Sequence, residues 1–287
     1  PLIPTDDPGA TLQLKVMLQG ALMTPTNALT PNADGLMRDD LRSQGLIPLN
    51  QPYGATFGTR FTHYGGGGNE VTTNAILSAN AGTGNAIVDW VFIEIRDAVN
   101  PATIVRTVSA LVQRDGDIVS AATGGPLRVT MPNGTYRIAI KHRIHLGAMT
   151  SVNVVFNGGT TTLDFTTMSN LDLFNLAGYD GQEMVQMGSR KALWVGDTNL
   201  DGKVKYNGSG TDGLQISSEV LGHSGNTSGS YNYNNAFGYY RGDVNMDGKT
   251  KYSGATNDRI LIQQTILGFP LNTSQLNNYN NLVEQTQ

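Results

Sequence analysis

The chain has 287 residues, enough for one large domain and a small one, with 15% charged residues and a formal net charge of −4. It contains no cysteine, which excludes disulfides, thiol catalysis and cysteine-ligated metals. No basic patch interleaved with aromatics occurs, so nucleic acid is not expected as a partner, and no apolar run reaches the length of a membrane span.

Glycine, asparagine and threonine are abundant, which favours a mainly β, turn-rich architecture. The chain opens at Pro1 without a methionine and reads as a processed mature form. Residues 1–10 are polar and proline-bearing, an arm. In 12–18, Leu12, Leu14, Val16 and Leu18 alternate on one face, the pattern of a half-buried strand. Residues 23–55 are loop-like, with Met37 and Leu41 on one short helical turn. Gly65–Gly68 is a flexible crossing and no phosphate loop, because the following Lys-Ser/Thr is missing.

From 86 to 166 the residues read as consecutive strands. Val88–Ile95 is apolar and holds Trp90, and Thr103–Gln113 is β-branched and followed by the turn Asp115-Gly116. Leu127–Met131 precedes the expected hairpin turn Asn133-Gly134. Tyr136, Ile138 and Ile140 then alternate, and Val152–Phe156 leads through Asn157-Gly158-Gly159 to Leu163 and Phe165. Closely spaced strands with tight turns predict a β-sandwich body over residues 1–185, joined to a C-terminal module over 186–287.

That module holds a duplication. Residues 196–208 and 242–254 share G-D-x-N-x-D-G-K-x-K-Y-x-G, and 13 of 27 positions are identical between 196–222 and 242–268, a shift of 46. Asp197, Asn199 and Asp201 place oxygen donors at alternate positions before Gly202. Asp243, Asn245 and Asp247 do so before Gly248. This is the first half of an EF-hand-type loop, in which Lys203 and Lys249 would supply backbone carbonyls. Position 12 falls on Gly208 and Gly254, so the closing carboxylates expected are Asp212 and Asp258, each 15 residues after the first aspartate. A polar turn rich in Asn, Asp and Gly explains one copy. Two copies with one shared offset predict two Ca2+ sites, with magnesium disfavoured by the many flexible oxygens. Leu214, Ile216, Val220 and Leu221, then Ile260, Ile262, Ile266 and Leu267, recur at helical spacing up to Gly222 and Gly268, both expected as helix C-caps. The connector 223–239 reads as a solvent loop, and Leu276, Tyr279 and Leu282 are candidates to dock the polar tail.

Tandem loop-helix units of this kind resemble dockerin modules, with loops here four residues longer. The resemblance implies metal chemistry and, in dockerins, a cohesin partner. Across roughly residues 12–268 the chain also resembles a family of extracellular Bacteroidota proteins. The carriers are L-K-V-M-L-Q-G (14–20), G-L-I-P-L-N-Q-P-Y (45–53), V-D-W-V-F-I-E-I-R-D-A (88–98), R-D-G-D-I-V (114–119) and H-R-I-H-L-G-A-M (142–149), followed by the repeats. That resemblance implies a secreted or cell-surface location, often by the type IX route, although no sorting domain of that route is evident after the repeats.

His142 and His145 form the only histidine cluster, a weak metal signal without a third ligand, and read as structural. Asp89, Glu94, Arg96 and Asp97 face Lys141 and Arg143 on another strand, a pattern of cross-strand pairs rather than of a glycosidase carboxylate pair. Asn133, Asn207, Asn226 and Asn272 head N-x-S/T triplets that chance explains in an asparagine-rich chain. Together these features predict a non-enzymatic extracellular structural protein, a subunit of a surface filament or adhesive layer that self-assembles through the N-terminal arm or an edge strand. The alternative is a calcium-dependent adhesin for carbohydrate or a cohesin-like protein, using Tyr231, Tyr233, Tyr239 and Tyr240. An enzyme built on Glu94 is the third reading.

Overall fold

The computed structural model describes residues 9–178 and 182–286. In chain order come β1 (Ala10–Lys15), α1 (Gln19–Leu22), β2 (Met23–Thr24), β3 (Asn27–Pro31), α2 (Asp40–Ser43) and α3 (Asn74–Ser78). Strands β4 (Ile87–Asp97), β5 (Ile104–Gln113), β6 (Ile118–Val119), β7 (Leu127–Val129), β8 (Gly134–His142), β9 (His145–Met149), β10 (Val154–Phe156) and β11 (Thr160–Asp164) follow. The C-terminal part holds β12 (Val185–Met187), β13 (Arg190–Ala192), β14 (Lys203–Val204), α4 (Gly213–Gly222), β15 (Ala236–Phe237), β16 (Lys249–Thr250), α5 (Asp258–Gly268) and β17 (Leu282–Val283). Patterning points to a mainly β chain; the structure is a mixed α/β fold, with several sheets, most of them small and antiparallel, and five α-helices among the described residues.

The largest sheet runs β10-β8-β4-β5-β6, with β9 also on β8. Its centre, β4, is buried from Ile87 through Arg96, as expected of a strand covered on both faces. A second sheet, β11-β1-β7, has β1 in the middle, parallel to β11 and antiparallel to β7. The alternation of Leu12 and Leu14 does bury one face of β1. As an inner strand, however, β1 has no free edge to offer a neighbouring subunit.

One expected hairpin is a crossing instead, and a second turn behaves alike. Asn133-Gly134 links β7 in one sheet to β8 in the other, and Asn157–Gly159 likewise links β10 to β11. Turn residues encode a chain reversal, but the partner of each strand is set by which apolar faces meet.

The helices α4 and α5 form where the apolar spacing places them. Gly222 and Gly268 lie in their last turns, and His223 and Phe269, both extended, follow. The glycine C-caps are therefore replaced. The Asn226 side chain donates to the Val220 carbonyl at 2.8 Å, and Asn272 donates to Ile266 at 2.8 Å. Gly268 serves packing: a Cβ there would meet Leu29 Cδ1 at 2.3 Å.

One apolar cluster joins β1, β4, β5 and β8 to Trp194, Val204, Ile216, Leu261 and Ile266, running across position 185 without interruption. The tail docks through buried Leu282 and through Tyr279 on Phe269, while Leu276 is exposed. Residues 1–8 of the proposed arm lie outside the described residues. Among those described, no helix is long and apolar enough to cross a membrane.

Candidate functional site

The two repeat loops are near copies in their hydrogen bonding. In the first, Gly202 N–H donates to Asp197 Oδ2 (3.2 Å), Asp201 N–H to Asn199 Oδ1 (3.0 Å) and Lys203 N–H to Asp201 Oδ1 (3.0 Å). The second repeats this from Gly248 to Asp243 (2.8 Å), Asp247 to Asn245 (3.1 Å) and Lys249 to Asp247 (3.0 Å). Asp212 closes the first loop by accepting from Thr198, Asn199 and Lys205 N–H, and Asp258 closes the second from Val244 and Lys251. Leu200 and Met246, one before each second aspartate, both take positive φ (68° and 56°), the conformation that coils the loop.

This arrangement corrects the expectation of two Ca2+ sites. Among the described residues, no group of three or more His, Cys, Asp or Glu side chains is placed to hold a metal ion. The physical reason lies in how the oxygens are used. Each closing carboxylate spends both oxygens on backbone N–H groups of its own loop, and Asn199 and Asn245 turn their amide nitrogens toward Asp201 and Asp247. Asp197, Asn199, Asp201, Lys203 and Asp212, and likewise Asp243, Asn245, Asp247, Lys249 and Asp258, are loop-closing residues here, not metal ligands. Burial pushes the Asp212 and Asp258 carboxyls well up, and the neighbouring Asp197 and Asp243 charges add to this.

A cation does reach the first loop, and it belongs to the chain. Arg60, from the 3-10 helix Ala55–Phe61, places Nη1 2.6 Å from Asp197 Oδ2. It also pairs with Glu284 in the tail and donates to the His145 carbonyl at 2.7 Å. Glu284 reaches on to Lys141 Nζ (3.2 Å), and Lys141 to Glu94 Oε1 (3.1 Å), which Arg96 clasps from the other side. Burial alone would raise the Glu284 carboxyl, but Arg60 and Lys141 hold it well below the usual range. The cross-strand pair foreseen for Glu94 and Lys141 is thus present, Arg96 joins it from the strand of Glu94 itself, and Glu94 is fully buried between them. Beside them a cavity of about 490 Å³ is lined by Phe57, Arg60, Asn199, Asp201, Arg241 and Glu284, among others.

The second buried centre is Asp89. Its Oδ2 accepts from His142 Nε2 (3.1 Å) and Arg143 Nε (3.1 Å), and its Oδ1 from the Tyr239 hydroxyl (2.6 Å) and Trp90 N–H (2.8 Å). His145 Nδ1 lies 2.7 Å from His142 Nδ1, and His145 Nε2 accepts from Gly20 N–H at 3.0 Å. One tautomer set satisfies all these contacts. With its Nε2 accepting, His145 carries its proton on Nδ1 and donates it to His142, which in turn donates from Nε2 to Asp89. Burial pushes both imidazoles below their ordinary value, His145 further, with His142 and the Arg143 and Arg60 charges contributing. Arg143 also lies over the Tyr239 ring at 4.2 Å and donates to the Tyr240 carbonyl.

Of the four tyrosines read as sugar-stacking candidates, Tyr239 is therefore committed to Asp89, and Tyr233 packs against His223 at 5.4 Å. Tyr240 is half-buried, and only Tyr231 is exposed, at 50%. Asn226 and Asn272 are buried helix caps. Arg60 and the Asn226/Asn272 pair were missed from the residues. The asparagines carry a signal, since N-T-S recurs at 226–228 and 272–274 with the same shift of 46. No family model matches the chain, and neither a curated protein nor a solved structure matches it.

Proposed function

We propose that this chain is a non-catalytic structural protein of the cell exterior, a subunit of a filament or adhesive layer. In this reading the two sheets stack as a β-sandwich body, and the loop-helix repeats form a dockerin-like module clamped to it by the Arg60 and Asp89 centres. The observation that carries the proposal is the free edge of β11. Among the described residues this strand ends its sheet, with β1 on one side and no strand on the other. Thr11 N–H donates to the Gly159 carbonyl and Phe165 N–H to the Lys15 carbonyl, so odd-numbered groups of this strand face β1. The main-chain groups of Thr160 and Thr162 then point outward, on a threonine-rich segment of high β-propensity. Such an edge is a template for adding a strand from another copy.

Light scattering and electron microscopy of the purified chain test this. Assemblies are expected for the unaltered protein. Thr162→Pro, which removes an outward N–H that an edge strand can spare, should yield monomers of unchanged melting temperature. Monomers from the unaltered chain, or undiminished assembly by Thr162→Pro, would remove the proposal.

A further inference from the structure

The repeats place two tyrosines at equivalent positions, Tyr206 and Tyr252, and one side chain lies against both. The Arg259 guanidinium carbon sits 4.7 Å from the Tyr206 ring centroid and 5.6 Å from that of Tyr252. Tyr231 extends the row, its ring 5.1 Å from Tyr252 and tilted by 45°. The result is a surface strip, Tyr206–Arg259–Tyr252–Tyr231, whose outer end is half exposed and whose other members are partly buried.

The repeat itself explains why a single arginine serves two rings. The position equivalent to Arg259 in the first copy is Gly213. The Arg259 stem crosses that glycine: a Cβ built there would lie 3.5 Å from its Cδ and Nε. A second long side chain at 213 would compete for the slot between the tyrosines. Divergence at this one pair of positions therefore makes a shared site from two copies.

Arg259 is also uncommitted. Among the described residues no carboxylate pairs with it, and its guanidinium donates no hydrogen bond; the Tyr206 and Tyr252 hydroxyls have no partner either. Its sequence neighbour Asp258 has both oxygens engaged by Val244 and Lys251 N–H. Every other arginine around the repeats does polar work: Arg60 on Asp197, Arg143 on Asp89, Arg241 on Gln215. A guanidinium lying against aromatic rings still presents its five donors in a planar fork, the geometry that matches a carboxylate or sulfate. The ring faces alongside suit the apolar faces of pyranose sugars, which aromatic side chains bury well.

We propose that this strip binds an acidic polysaccharide, with Arg259 forked onto a uronate carboxylate or a sulfate and Tyr252 and Tyr231 stacked on the adjoining sugar rings. The net charge of −4 works against a polyanion in general, so binding has to be local to the strip. The proposal stands apart from whether the chain polymerises.

Calorimetric titration of the intact chain is the test, with oligogalacturonate, a heparin-derived sulfated oligosaccharide, a neutral dextran oligosaccharide and phosphatidylglycerol vesicles as probes. Binding of at least one acidic oligosaccharide is expected, the preferred one telling carboxylate from sulfate. Arg259→Gln should weaken it about tenfold or more, and Arg259→Lys should restore part of the loss, because an ammonium lacks the fork. Failure of both acidic oligosaccharides, equal binding of dextran, binding of vesicles alone, or unchanged affinity in Arg259→Gln would overturn the proposal. Should Arg259→Gln melt early, Tyr231→Ala at the exposed end decides: reduced affinity at unchanged melting temperature supports the strip, and full affinity refutes it.

Discussion

The two repeats have nearly the same internal hydrogen bonds but are held to the rest of the molecule by different means. The first is gripped by charge. Arg60 meets Asp197, and the tail adds the β14–β17 pairing and a bond from Glu284 N–H to the Gly202 carbonyl at 2.8 Å. The second is gripped by hydrogen bonds to backbone and neutral groups, the Arg38 guanidinium donating to the Asn245 carbonyl among them. Gln44 donates to the Asp247 carbonyl at 2.7 Å, Asn245 to Pro25 at 3.2 Å, and Ala28 N–H to Gln264 at 2.8 Å. Gly20 passes so close that a Cβ would meet the Val244 carbonyl at 2.4 Å. The equivalent carboxyls register this difference. Burial raises both, but Arg60 limits Asp197 to about 6, whereas Asp243, with Asp247 beside it and Arg143 and the Gly248 and Asp247 N–H groups in partial compensation, is pushed up to about 8. A shared local motif therefore leaves a buried charge undetermined until a remote partner is supplied.

Removing that partner should have the largest effect. Arg60→Met leaves Asp197 buried without its cation and Glu284 with Lys141 alone, and should cost about 3–5 kcal/mol in urea denaturation. It should also raise the Asp197 carboxyl toward its Asp243 counterpart, which carboxyl NMR titration would follow. A loss below ~1 kcal/mol would mean that charge is not what grips the first repeat.

Breaking the loops themselves should show their likeness instead. Asp212→Ala and Asp258→Ala each strand backbone N–H groups and should cost about 1–3 kcal/mol apiece. Strongly unequal losses would show that the loops differ within as well as without.

The third expected effect concerns acid. His142 and His145 are held neutral below their ordinary value, so the folded state binds fewer protons than the unfolded one. Their contribution is complete above about pH 6.5 and fades as the pH falls, with a slope up to ~1.4 kcal/mol per pH unit for each proton. Because their relay ends on Asp89 and Tyr239, amide exchange should quicken at 239–248 before 197–208 as the pH drops toward 5. Simultaneous release would erase the distinction between the two grips.

The smallest effect is the most symmetric. Asn226→Ala and Asn272→Ala each remove a helix-end cap and should cost about 1 kcal/mol alike. Unequal melting shifts would separate the copies at their ends.

Much of this was legible in the residues. The shift of 46 locates both loops, both closing aspartates and both helices, because each depends on contacts within some 20 residues of chain. The cap asparagines are legible too, because N-T-S follows each helix at the same shift. The metal reading failed because Asp, Asn and Gly at these offsets describe a coil of oxygen acceptors equally well when backbone N–H groups fill it. The hairpin at Asn133-Gly134 failed because a turn signal says that the chain reverses and nothing about which strand awaits it.

Local sequence by itself determined the duplicated loops, their positive-φ turns and the helices behind them, since short-range hydrogen bonds close within each copy. Only the tertiary structure decided that β1 lies inside its sheet, that Arg60 serves Asp197, and that Arg259 is shared by two tyrosines. Those outcomes join groups far apart in the chain, and they arise when apolar faces pack and bring along whatever charges those faces carry.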